Sequence, residues 1–176
     1  LYDSGRDSVR VDRAYDAPIS ATSFNWNSVN IYVRPGNAEN EKAQIFLDPY
    51  SDYLELENKT TTTKKTNVKN INVSRVKNGR KDKILVTGEI SLGNPEIVFY
   101  KSITNPTLWT GSHLKEFLKQ RSINLKGSVV EGVCDAASVT YATVDSKNLI
   151  NIVSDMLKYS NNYVAEMLAK NAATLR

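Results

Sequence analysis

The hydrophobic period of this chain changes near Thr110, and that change limits the fold more than any other feature. From about Ser28 to Ser102 the apolar residues alternate with polar ones. Val29, Ile31 and Val33 share one face, set against Asn30, Tyr32 and Arg34, and the run stops at Pro35-Gly36. Ala43, Ile45 and Leu47 alternate in the same way and stop at Asp48-Pro49. Leu54 and Leu56 share a face, "NINVSRV" and "KILVTGEISL" follow on either side of Asn78-Gly79, and "EIVFYKSI" is a further short run. Short strands with turn chemistry between them predict a β-rich unit over 28–103, with a hairpin or slightly longer loop at Asn78-Gly79.

From Thr110 the spacing becomes helical. Leu114, Phe117 and Leu118 predict an amphipathic helix, with Ser112 as its cap and Lys119 and Arg121 near its C-terminal end. "INLKGSVVEGV" returns to short strand patterns around Gly127 and Gly132, so 104–145 reads as an α/β return segment. Asp145 or Ser146 then caps a helix over Lys147–Leu157 that buries Leu149, Ile152, Val153, Met156 and Leu157 along one face. A second helix, from Asn161 to Leu175, carries Val164, Met167 and Leu168. The expected fold class is mixed α/β (α+β): a linking segment (1–27), the β-rich unit, the return segment and a terminal helical pair (146–176).

Composition narrows the function. Apolar residues are 40% and charged residues 24% of 176, so the chain can bury a core and is not disordered. The net charge of +4 is too mild for a nucleic-acid footprint. The densest basic stretch, Lys59 to Lys69, lacks interleaved aromatics and reads as a solvated loop or strand edge. No apolar run is long enough to span a membrane, and no leader opens the chain, which places any export signal outside it. Cys134 is the one cysteine and His113 the one histidine. With no partner for a disulfide or a metal, Cys134 is expected to be a buried inert thiol, and His113 a surface residue. No Gly-rich phosphate loop is present, and neither a metal nor a cofactor is called for.

"KYSNNYVAEML" is where chemistry could reside. Ser160, Asn161 and Asn162 interrupt two helical patterns. Asn and Ser compete with helical hydrogen bonds, so the bland reading is a break or a cap. The chemical reading is that a hydroxyl and an amide, two residues apart at a helix junction, relay a proton and hold a substrate backbone.

The chain resembles the low-molecular-mass class C penicillin-binding proteins, the D-alanyl-D-alanine carboxypeptidase/endopeptidase family. The residues that carry the resemblance are "YDAPISATSFNWNSVNIYVRPG", "TNPTLWTGSHLKEFLKQRSINLKGSVVEG" and "DSKNLINIVSDMLKYSNNYVAEMLAK", in order along nearly the whole chain. Enzymes of this type use Ser-x-x-Lys, Ser-x-Asn and Lys-Thr-Gly. The resemblance implies a serine-type peptidase that cleaves peptidoglycan stem peptides, is acylated by β-lactams, and works in the periplasm or otherwise outside the cytoplasm. It implies the Ser-x-Asn roles for Ser160 and Asn162, with Asn161 the variable middle position.

Two of the three elements do not match. Lys65-Thr66-Asn67 is a near miss for Lys-Thr-Gly but sits in the β-rich region. Ser112-His113-Leu114-Lys115 spells Ser-x-x-Lys, yet in the family the nucleophile precedes the β-rich insertion, and a capping role accounts for Ser112. The expectation is therefore an internal piece, inactive alone, whose partners are the remaining segments of the same enzyme, on this chain or a separate one, or a second copy. The helical pair, short of burial partners, is expected to fray or to pack on another chain. Asp12 and Arg13 are candidates to line a cleft, with a solvated charge as the alternative. Two rival readings stand beside the enzyme: a non-catalytic module that binds the cell wall or another protein, and a plain α/β domain whose Ser-Asn-Asn is only a cap.

Overall fold

The computed structural model describes residues 12–174. Residues 1–11 of the linking segment and Leu175 of the last expected helix lie outside the described residues. Six strands form two sheets: β1 (Ser28–Arg34), β2 (Gln44–Asp48), β3 (Leu54–Thr63), β4 (Lys69–Asn78), β5 (Lys81–Ser91) and β6 (Ile97–Ser102). Three helices follow: α1 (Pro106–Gln120), α2 (Leu149–Tyr159) and α3 (Asn162–Thr174). The mixed α/β class expected from the sequence is the class observed.

The first sheet has the order β2-β1-β6 and is antiparallel throughout, with Ile31 opposite Leu47 on one side and Phe99 on the other. The second has the order β3-β5-β4, in which β3 runs parallel to β5 and β4 antiparallel. The central strands β1 and β5 are hydrogen-bonded to a neighbour along both edges, and the apolar residues that alternate on one face of each form the core. Val29, Ile31 and Val33 of β1 and Ile84, Val86 and Ile90 of β5 are all fully buried, joined by Ile103, Leu108 and Trp109. Each such side chain contributes about 1.5–3 kcal/mol relative to exposure. In α2 and α3 the only buried residue is Tyr163, so β1 and β5, not the terminal helices, carry the fold.

Asn78-Gly79 turns the chain as its residues predict. Asn78 pairs with Lys81, and Gly79 takes φ +61°, a conformation glycine adopts at no steric cost. Nine residues further on, a different glycine is fixed by its neighbour: a Cβ on Gly88 would lie 1.9 Å from the Asn70 carbonyl oxygen of β4.

The Thr/Lys run is a strand edge, but not a fully solvated one. Thr60, Thr62 and Thr63 are buried at the end of β3. Thr62 Oγ1 accepts from Gly36 N (2.8 Å), Thr60 Oγ1 accepts from Ala43 N (2.8 Å), and the β3 backbone pairs with Asn40 and Glu41. The 36–43 loop thereby covers an edge that would otherwise expose unpaired donors and acceptors.

Buried Asp82 on β5 joins the second sheet to the start of α1. Its carboxylate accepts from Tyr53 Oη (3.1 Å), Thr104 N (2.6 Å) and Thr104 Oγ1 (2.5 Å), while Arg75 donates to that same Thr104 hydroxyl. Tyr53 Oη in turn accepts from Asn105 N. Burial, with the Asp82 carboxylate beside it, raises the Tyr53 pKa.

Several expectations are corrected. Ser112 does not cap the first helix. Asn105 does, its Oδ1 accepting from Leu108 N at 3.0 Å with Pro106 in the first turn, which puts Ser112 inside the helix. The buried stripe of α1 is Leu108, Trp109 and His113, whereas Leu114 and Phe117 are 58% and 38% exposed. His113 is therefore not a surface residue. It packs against Trp109 and Phe24, with ring centroids 4.0 and 4.5 Å away. The strands expected around Gly127 and Gly132 are absent. Residues 123–148 hold no strand or helix, and Val130 and Val133 are exposed, because an alternating pattern with no partner strand has nothing to pair with. Cys134 lies in this stretch and is exposed, not buried.

Helix α2 starts at Leu149 after Asn148, and no side chain caps it, neither Asp145 nor Ser146. Its expected buried face is open: no residue of it is buried, and Leu149 and Leu157 are 63% and 69% exposed.

Candidate functional site

The α2–α3 junction gives the capping role and the candidate chemistry to different residues. Helix α2 ends in a left-handed residue, Ser160, at φ 49° and ψ 43°. Asn161 N donates to Met156 O (3.0 Å) and Ser160 N to Leu157 O (3.4 Å), which satisfies the last carbonyls. Asn161 then opens α3: its Oδ1 accepts from Val164 N at 3.1 Å and its carbonyl from Ala165 N. The residue expected to be the variable middle position is thus the cap.

The side chains of Ser160 and Asn162 flank that cap and are both exposed. Neither makes a side-chain hydrogen bond among the described residues. A helix end that needed only a left-handed residue would take glycine there, which bears no Cβ penalty. A serine keeps a hydroxyl at that cost. A groove of about 560 Å³ opens beside the turn, lined by Trp26, Ile152, Met156, Tyr159, Asn161 and Val164. Lys147 and Asp155, ion-paired at 3.3 Å, also line it, whereas Ser160 and Asn162 do not.

Tyr163, immediately after Asn162, ties this junction to the β-rich unit. Its phenol donates to Ser23 Oγ at 2.5 Å and accepts from Asn27 Nδ2 at 3.4 Å. Burial raises its pKa against the opposing effect of those two bonds. Asn27 is itself fully buried; it donates to the Pro18 carbonyl (2.9 Å), and its own carbonyl accepts from Ile103 N (2.9 Å). The turn that presents it is left-handed at three consecutive residues, Asn25, Trp26 and Asn27, with φ of 48°, 51° and 53°. Such a run is uncommon outside glycine and costs free energy that the surrounding contacts must offset. It leaves Trp26 55% exposed at the rim of the groove. Sequence reasoning missed Tyr163, Trp26 and Asn27. The one available signal was the asparagine pair in "FNWN", since asparagine tolerates positive φ better than most residues.

The remaining candidates have structural partners. Asp12 Oδ2 accepts from Arg75 N (3.0 Å) and Oδ1 from Lys101 Nζ (2.9 Å), so it staples β4 to β6. Burial opposes the Asp12 charge, but the bonds from Lys101 and Arg75 outweigh it and hold the carboxyl below its ordinary range. Arg13 pairs with Asp16 at 2.9 Å and lies over the Tyr15 ring. Lys65-Thr66-Asn67 forms the β3–β4 turn, where Lys65 is exposed. Ser112 and Lys115 share a face of α1, and Lys115 Nζ donates to the Gly127 carbonyl (3.0 Å). Among the described residues no group of three His, Cys, Asp or Glu side chains could hold a metal, and no helix is long and apolar enough to cross a membrane.

Residues 4–175 match the family described as D-Ala-D-Ala carboxypeptidase 3 (S13). A D-alanyl-D-alanine carboxypeptidase of Actinomadura sp. (strain R39) is 28% identical over 167 residues, covering 90% of this chain and 30% of its own length. Two crystal structures of penicillin binding protein 4 from Haemophilus influenzae share the fold. One has a TM-score of 0.66 at 13% identity, covering 88% of this chain and 34% of that one. The other, complexed with a β-lactam, has a TM-score of 0.65 at 14% identity, covering 89% and 35%. The chain spans about a third of the length of the relatives it matches.

Proposed function

Because this chain belongs to the D-Ala-D-Ala carboxypeptidase 3 (S13) family, we propose that it is part of a serine-type D-alanyl-D-alanine carboxypeptidase/endopeptidase. The whole enzyme cleaves peptidoglycan stem peptides through an acyl-enzyme, is acylated by β-lactams, and acts outside the cytoplasm. The observation that carries this reading is the division of labour at the α2–α3 junction: Asn161 caps α3, and Ser160 and Asn162 have no structural task for their side chains.

In this mechanism a nucleophilic serine attacks the carbonyl carbon of the penultimate D-alanine. The carbon–nitrogen bond breaks, and the terminal D-alanine leaves as an amine. That amine needs a proton. The attacking serine gives up its hydroxyl proton to the lysine of Ser-x-x-Lys; the Ser160 hydroxyl passes its own proton to the leaving nitrogen as general acid and is refilled with the proton held by that lysine. The Asn162 carboxamide, which both donates and accepts, holds the substrate backbone so that the carbonyl faces the nucleophile. Water then hydrolyses the acyl ester. The acylated serine and the carboxylate-binding Lys-Thr-Gly are contributed by segments outside these 176 residues, which alone are inactive.

Ser112-x-x-Lys115 is not the nucleophile on this reading, although the capping argument against it no longer holds. Lys115 gives its ammonium to the Gly127 carbonyl, and Ser112 makes no hydrogen bond to it. Fluorescent penicillin separates the cases. A longer chain carrying the remaining segments should be labelled at a serine outside this sequence, and the 176-residue chain should stay unlabelled. Labelling at Ser112 would overturn the assignment.

A further inference from the structure

A second cleft, of about 530 Å³, lies between the β4–β5 hairpin turn and α1. Four cations line it, Arg80 and Lys81 from the hairpin and Lys115 and Lys119 from the helix, against two carboxylates, Asp52 and Glu116. None of these six groups forms an ion pair among the described residues. Elsewhere Lys59, Lys64, Lys83, Lys101 and Lys147 each have an acidic partner within 3.4 Å, whereas Lys42, Lys69, Lys77, Lys126 and Lys158 have none among the described residues; what sets this cleft apart is that four cations line one concavity.

The bland explanation is that these cations hold the loop after α1 in place, and two of them do. Lys115 donates to Gly127 O (3.0 Å) and Arg80 to Val129 O (2.8 Å). Gly111 lets Val129 sit directly on the helix, since a Cβ there would lie 2.4 Å from Val129 Cγ1. Asn105 adds a third tether to Glu131 (2.7 Å). The loop is thus a fixed wall. That explanation leaves Lys81 and Lys119 unused, along with most of the donors of Arg80 and Lys115 and the Ser112 hydroxyl. Leu108, Ile123 and Leu125 give the same cleft an apolar lining.

We propose that this cleft binds a small multivalent anion, of the phosphate or polycarboxylate class, whose charged groups meet Arg80, Lys81, Lys115 and Lys119 and whose carbon skeleton lies on Leu108 and Leu125. Unpaired cations converging on a concave surface concentrate anions there, and the partly apolar walls strengthen the attraction. The lining of the cleft does not include the Ser160 turn.

The test is a two-dimensional NMR titration of the 176-residue chain with inorganic pyrophosphate and, separately, with citrate, at fixed ionic strength. Saturable shifts confined to Arg80–Lys81, Ser112–Lys119 and Gly127–Val129 are expected. Saturation by one probe alone assigns the phosphate or the carboxylate class, and by both assigns the shared chemistry. Lys81→Glu with Lys119→Glu, which breaks no hydrogen bond of the fold, should weaken binding by at least about tenfold. A control of equal charge change outside the cleft, Lys42→Glu with Lys158→Glu, should leave binding within about twofold. No saturable shift with either probe, or equal weakening by the two double variants, overturns the proposal.

Discussion

The Tyr163 phenol donates a 2.5 Å hydrogen bond to Ser23, across 140 residues of sequence. That contact, with Asn27 beside it, ties the Ser160–Asn162 turn to the segment that leads into β1. The helical pair is therefore neither free nor fully packed. Helix α3 is pinned at its first turn, while α2 keeps an exposed apolar face.

Tyr163→Phe should remove the anchor and keep the ring. The expected cost is about 1 kcal/mol, the net worth of a buried hydrogen bond. Native-state hydrogen exchange checks where the cost falls. Amides of α3 should exchange faster while those of β5 keep their protection. Unchanged α3 protection would mean that Tyr163 does not hold the junction.

His113 should make the fold sensitive to mild acid. Burial lowers its pKa below the ordinary 6.5, outweighing the hydrogen bond to the Trp109 carbonyl and the nearby Glu116 carboxylate, both of which raise it. Because Nδ1 donates to Trp109 O, Nε2 is an acceptor, and it is buried without a partner. Protonation would place a charge between Phe24 and Trp109. The unfolded chain takes up that proton first as the pH falls below about 6.5. The stabilisation is complete above that pH and is lost as the pH falls towards the lower folded pKa. Urea midpoints measured at about pH 7.5 and about pH 5.5 should differ for the native chain, and His113→Phe should flatten most of the difference. Equal slopes for the two proteins would contradict this.

The residues that were legible in the sequence, and those that were not, divide on physical grounds. Val29, Ile31 and Val33 announce β1 because their alternation is the burial pattern itself, and Asn78-Gly79 announces a hairpin because its backbone freedom is local. What failed depended on a partner distant in sequence. The valines around Gly127 alternate but find no strand to pair with. Polar Thr60 and Thr62 are buried because the 36–43 loop supplies their donors. His113 is inside because Phe24 and Trp109 make a slot for an imidazole. The helix start at Asn105-Pro106 is a local signal, a capping side chain followed by proline, and the apolar spacing further along points to a later start. At the junction the sequence offered capping and chemistry as alternatives for the same three residues. The backbone assigns capping to Asn161 and leaves the other two side chains unpaired.

The account stands most directly on Ser160. Glycine fits its left-handed backbone better than serine does, so Ser160→Gly should leave the stability of the 176-residue chain unchanged or raise it by up to about 1 kcal/mol. Asn161→Ala should instead lower it by about 1 kcal/mol through loss of the cap. The deciding measurement is hydrolysis of a D-Ala-D-Ala peptide by the full-length enzyme carrying Ser160→Gly or Ser160→Ala. The account predicts that both keep a folded, penicillin-labelled protein whose turnover falls by about 10²-fold or more. Native turnover in either variant would contradict it, and Ser160 would then be a helix end and nothing else.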